Sequence, residues 1–166
     1  MVDDTTVTLD EVDRGVLHLL QQDARNTTAE EIAERVGVSA STVRNRIGKL
    51  EEDGVIQGYQ PILDYERANL PLHVLFICTV QPDRRDEMAE KVLDVKGVVT
   101  VKEMITSVEN LHIEAVGKDT DDLVRITDVL QRMELEVGSA ELMKRELIRP
   151  FNFHLEPSTG NEEPEE

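Results

Sequence analysis

Between Leu9 and Gln22 apolar residues return at helical spacing: Val12, Val16, Leu17, Leu19 and Leu20 make one stripe. Asp10, Glu11 and Asp13 crowd the first turn, where the helix dipole favours negative charge. The stretch DARNTT breaks that pattern. Thr28 and Glu31 then form a T-x-x-E capping box, which predicts a short helix over Ala29–Val36 with Ile32, Ala33 and Val36 inward. Gly37 suits a C′ position, and Ser39 is a natural N-cap for a third helix from Ala40 to about Asp53. On that helix Val43, Ile47 and Leu50 share the core side, while Ser41, Asn45, Gly48 and Lys49 lie opposite, flanked by Thr42, Arg44 and Arg46.

After Gly54 the rhythm changes. Val55-Ile56 begins an extended stretch broken by Gly58, and GYQPILDYERANLP reads as a linker. Leu72–Val80 is strand-like, and Arg84–Val95 is an amphipathic helix with Met88 and Val92 inward. Val98–Ile105 and Leu111–Val116 read as strands separated by the turn TSVEN. Thr120–Met133 predicts a helix on Leu123, Ile126 and Leu130, and Glu141–Ile148 a last strand. The predicted order is βαββαβ, so the fold class is α+β: a helix-turn-helix (winged-helix-like) domain followed by a ferredoxin-like sandwich. The expected divisions are 1–58 for the helical domain, 59–71 for the linker, 72–153 for the sandwich and 154–166 for an acidic, disordered tail. Open sheet edges predict a homo-oligomer.

Composition narrows the class. No apolar run approaches the roughly 18 residues of a membrane span, and the acidic N-terminus is not a signal peptide, so a cytoplasmic protein is expected. A single cysteine, Cys78, excludes an intrachain disulfide and falls in an apolar strand as a small core residue. His73 and His112 lie on neighbouring strands near Glu114, but such residues are more often ordinary strand histidines; no metal and no cofactor are expected. The formal net charge is −17 and the pI about 4.6, a balance that argues against a polyanionic partner. Acidic residues spread over helix faces, with lysine scarce, predict a surface kept soluble at high salt and a salt-loving source.

One stretch opposes that balance. From Val36 to Leu50 there is no Asp or Glu, while Arg44, Arg46 and Lys49 stand together on the third helix. Two helices joined by a tight turn, the second of them basic, describe a helix-turn-helix. Its outer face must carry groups that meet bases and phosphates. Ser41, Thr42 and Asn45 suit base edges, Arg44 and Arg46 suit guanine or phosphate, and Lys49 suits phosphate; Gly48 lets a backbone approach closely. Thr28 and Ser39, at the helix N-termini, complete the expected DNA-contacting set. A trihelical protein-docking module is the competing reading, and the clearing of carboxylates from one face weighs against it.

In these motifs the chain resembles the Lrp/AsnC (leucine-responsive, feast/famine) transcription regulators. The resemblance rests on LD-x-x-D from Leu9, D-A-R from Asp23, V-G-V-S from Val36, R-x-x-x-L-E-x-x-G-x-I from Arg46 and I-x-G-Y from Ile56, in order, and extends to about residue 151. It implies a sequence-specific regulator, not an enzyme, acting on double-stranded DNA as a dimer, tetramer or octamer. It also implies that an amino acid or other small metabolite binds between C-terminal domains, beside a G-x-x-D loop. The matching residues here are Thr106, Ser107, Glu109 and Asn110, with Ser107 in place of Gly and Asn110 in place of Asp. With the charge pattern, it implies a halophilic archaeal source. Two alternatives stay open: a sirohaem-decarboxylase-like enzyme using His73, His112 and arginines such as Arg145 and Arg149, and an architectural DNA binder of low specificity.

Overall fold

The computed structural model describes residues 6–151; residues 1–5 and the chain from residue 152, including His154 and the tail expected over 154–166, lie outside the described residues. The described residues form two compact units, one running to Pro61 and taking in Leu147–Phe151, the other Ile62–Glu146. Among the described residues no helix is long and apolar enough to cross a membrane.

The first unit holds α1 (Glu11–Asp23), α2 (Ala29–Val36) and α3 (Ala40–Glu52). Local chemistry sets each start. Asp10 and Asp13 cap α1 reciprocally: the Asp13 N–H donates to Asp10 at 2.8 Å, and the Asp10 N–H donates to Asp13 at 3.2 Å. Thr28 and Glu31 do the same for α2, at 3.2 and 2.8 Å. Gly37 closes α2 at φ 74°, a left-handed conformation that a side chain disfavours. Ser39 accepts the Thr42 N–H at 3.1 Å and opens α3. Val16, Leu17 and Leu19 of α1, Ile32 and Ala33 of α2, and Val43 and Leu50 of α3 form the core. A Cβ on Gly15 would fall 2.5 Å from Val36 Cγ1, so α1 and α2 approach as closely as glycine allows.

The second unit runs β1 (Leu72–Thr79), a 3₁₀ turn Pro82–Arg84, α4 (Arg85–Leu93), β2 (Val98–Glu103), β3 (Leu111–Gly117), α5 (Thr120–Arg132) and β4 (Glu136–Leu142). The expected βαββαβ order holds. All pairings are antiparallel, in the order β2-β3-β1-β4, with Phe76 opposite Ile113 on one side and Ala140 on the other. Val74, Phe76 and Cys78 of β1 and Leu111, Ile113 and Ala115 of β3 pack with Met88, Ala89 and Val92 of α4 and Ile126 and Leu130 of α5. Alternation turns Leu75, Ile77, His112 and Glu114 to the opposite face of the sheet.

The last strand is not where the apolar pattern puts it. The expected strand was Glu141–Ile148; the observed one is Glu136–Leu142. Glu134 takes φ 63°, which lets the chain leave α5 and start the strand almost at once. Pairing then stops because β1 begins at Leu72, opposite which β4 has already run out: Val74 pairs with Leu142, and the Met143 N–H reaches the His73 carbonyl at 2.7 Å. The remaining stretch to Ile148 has no strand partner among the described residues.

Candidate nucleic-acid interface

Ser41, Arg44, Asn45 and Lys49 of α3 are exposed, and Thr42 and Gly48 half-buried. They lie opposite Val43 and Leu50, which are sealed in the core. At the start of α3 the Ser39 hydroxyl lies 2.8 Å from both the Ser41 and Thr42 hydroxyls, so three side chains meet at a capped helix end. Thr28 holds the corresponding place at the start of α2. A Cβ on Gly48 would meet nothing within 4 Å, so no contact inside this chain requires glycine there. Yet glycine within a helix costs about 1 kcal/mol relative to alanine.

The three cations differ in their surroundings. Lys49 has no carboxylate partner among the described residues. Arg44 pairs with Glu30 of α2, both side chains being largely exposed. The Glu30 carboxyl is held below the usual carboxylate range by its own backbone N–H and by the Arg44 guanidinium. Arg46 turns inward along the flank facing α1: its Nη1 lies 2.8 Å from Asp10 and 3.2 Å from Asp13. The Asp13 N–H, then the Arg46 guanidinium, hold the Asp10 carboxyl below its ordinary value. The sequence reading missed these acidic partners. Asp10 and Asp13 look like dipole complements and Glu30 like part of a cap, and only the docking of the helices shows which arginine each one meets.

The predicted effector residues separate. Thr106, Ser107 and Glu109 are exposed in the loop between β2 and β3, whose ends are tied by the Met104 N–H to the Asn110 carbonyl at 2.9 Å. Asn110 is buried, and both halves of its amide are used: Oδ1 accepts the Val80 N–H at 3.0 Å, and Nδ2 donates to the Val80 carbonyl at 2.9 Å. Glu109 lies over β4, where a Cβ on Gly138 would come 3.1 Å from its Oε1.

On the helix-free sheet face, His73 Nε2 stands 3.4 Å from Glu114, which also binds Lys102, and the Tyr65 ring meets His73 edge-on at 5.4 Å. His112 does not complete a cluster with them: among the described residues no three His, Cys, Asp or Glu side chains come together to hold a metal ion. Burial pushes the Cys78 thiol up to about 11, as suits an inert core residue.

Residues 9–57 match a family described as winged helix-turn-helix DNA-binding. The HTH-type transcriptional regulator LrpA of Pyrococcus horikoshii is 34% identical over 120 residues, 71% of this chain and 82% of LrpA. Two solved structures share the fold. A transcriptional regulator of Neisseria meningitidis in complex with L-Met has a TM-score of 0.72 at 23% identity, covering 87% of this chain and 96% of that one. AsnC of Escherichia coli has a TM-score of 0.68 at 20% identity, covering 88% and 99%. A trihelical unit with an exposed basic third helix, a four-stranded α+β unit and these relatives agree: the chain belongs to the Lrp/AsnC family of helix-turn-helix transcription regulators.

Proposed function

We propose that α3 reads a specific operator through Ser41, Thr42, Arg44 and Asn45, with Lys49 and the capped helix ends at Thr28 and Ser39 on phosphate. The observation that carries this is the exposed face of α3, which holds no carboxylate from Ala40 to Leu50, on a chain of net charge −17. Gly48 adds to it, since a glycine without an internal reason suits close approach by an outside partner. Two protomers, joined through their C-terminal sheets, present two such helices to half-sites roughly one helical turn apart. Leu75 and Ile77, apolar on the helix-free sheet face, support that pairing. The regulator works in the cytoplasm of a halophilic archaeon, where high salt screens its acidic surface. Its effector is an amino acid or other small metabolite, a class to which the L-Met of the Neisseria complex belongs, and its place in this reading is beside Thr106, Ser107 and Glu109.

Selection of duplexes from a random pool, with and without each amino acid, tests the reading. Enrichment of one pseudo-palindromic sequence is expected, and an unenriched pool would overturn it. Arg44→Ala should weaken binding to the enriched duplex by about 1–3 kcal/mol and relax one base position. Unchanged affinity and preference in the same titration would remove Arg44 from the groove. Lys49→Ala should weaken selected and random duplexes alike and reduce the salt slope by roughly one. Gly48→Ala should raise the unfolding free energy by about 1 kcal/mol in a denaturant melt and lower DNA affinity.

A further inference from the structure

Arg44 and Arg46 stand on opposite flanks of α3, and each is met by acid from a different helix. The two pairs are unlike. Arg44 and Glu30 are 58% and 63% exposed, so water and any incoming phosphate compete for both. The Arg46 side chain is 35% exposed and Asp13 only 10%. A single Nη1 of Arg46 reaches Asp10 Oδ2 at 2.8 Å and the two Asp13 oxygens at 3.2 and 3.3 Å. Those carboxylates are themselves fixed, because Asp10 and Asp13 cap α1 through each other's backbone N–H. The acceptor is therefore rigid, and the arginine that meets it has few places to stand.

We infer that Arg46 is a positioning residue: it sets the roll of α3 by bridging to Asp10 and Asp13, and it does not itself touch DNA. The inference rests on the reading of α3 as the DNA-contacting helix. Geometry supplies the reason. Arg46 lies between the core residues Val43 and Leu50 on one side and the outer row of Thr42, Asn45 and Lys49 on the other. A rotation of α3 that moved the outer row would pull Arg46 from its fixed acceptors. A guanidinium drawn out to phosphate would also leave Asp13 buried without its cation, which an ion pair in this setting resists. So one of the three cations on the helix directs the other two.

The test is a potassium chloride titration of the full chain against the selected duplex and a random one. It compares wild type, Arg46→Met, Arg46→Lys and Asp13→Asn, with protein concentrations corrected for the folded fraction. Arg46→Met and Asp13→Asn should each lower the selected-to-random affinity ratio roughly tenfold, the order of one lost base contact, with an unchanged salt slope. Arg46→Lys should restore most of the ratio. Asp10→Asn, on an exposed acceptor, should give a smaller fall in the ratio and serves where Asp13→Asn folds poorly. A slope reduced by about one in Arg46→Met, with tighter binding in Asp13→Asn, would make Arg46 a phosphate contact and overturn the inference. An unchanged ratio in every variant, with only the melting temperature lowered, would reduce the pair to packing and overturn it too. A wild type that binds both duplexes equally fails the DNA reading itself, and is seen before any variant is measured.

Discussion

Phe76→Ala is expected to remove about 3–5 kcal/mol from the stability of the sheet unit, since Phe76 is the largest fully buried side chain among the described residues. Phe76 is 1% exposed at the middle of β1, the strand flanked by β3 and β4. Its ring packs in the cluster where Met88 and Val92 of α4 meet Ile126 and Leu130 of α5. Truncation loses the transfer free energy of the ring and leaves a cavity that two helices and three strands cannot fully close. A unit of this size holds only about 5–15 kcal/mol in all, so the loss is a large share. Because the helical unit has its own core, centred on Val16, Ile32 and Val43, the loss should fall on one transition of a urea melt. A midpoint shift equivalent to less than about 1 kcal/mol would mean the core had repacked around a different set of residues.

Asn110→Ala should act almost as strongly, and through stability. Its side-chain amide meets both the N–H and the carbonyl of Val80, at 3.0 and 2.9 Å, inside the sheet unit. Removing it strands two buried backbone groups, each worth about 1–3 kcal/mol when left unsatisfied. Roughly 2–5 kcal/mol should disappear from the sheet unit in the same urea melt. Asn110→Asp keeps the acceptor but brings a charge to a buried site without a donor for the Val80 carbonyl, and should fare no better. If Asn110→Ala instead left the melt untouched and abolished binding of an amino-acid effector, the side chain would be a ligand contact and its bond to Val80 incidental.

Those two residues show how unevenly the sequence discloses the molecule. The helix ends were legible because each is a local event: Thr28 with Glu31, Gly37 and Ser39 act within a turn or two of where they stand. The two inner strands, β1 and β3, were legible because both the helices and the neighbouring strands demand apolar side chains from them. β4 is an edge strand on which Val137 alone packs against the core, so its pattern EVGSAEL says little. The pairing of Arg46 with Asp13 spans 33 residues and, like that with Asp10, depends on how α3 docks on α1, which no periodicity records. Asn110 was singled out by resemblance for a ligand, yet the sequence carries no sign that Val80, thirty residues earlier, lies beside it. Charge clearing on α3 was visible without any fold, since it is a statement about composition alone.

The orientation of α3 toward DNA is tested most directly by proximity. Cys78 is buried with a raised thiol pKa, so a maleimide photo-crosslinker at neutral pH should label a cysteine introduced at an exposed position in preference to it. The crosslinker is placed at position 45 by Asn45→Cys, and at position 128 on α5, as a comparison, by Asp128→Cys. On irradiation with the selected duplex, position 45 should give a covalent adduct that maps to bases inside the half-site, competed away by unlabelled duplex of the same sequence, while position 128 gives little. Equal adducts from both positions, or adducts from position 45 scattered along the phosphate backbone of any sequence, would contradict an operator read by α3.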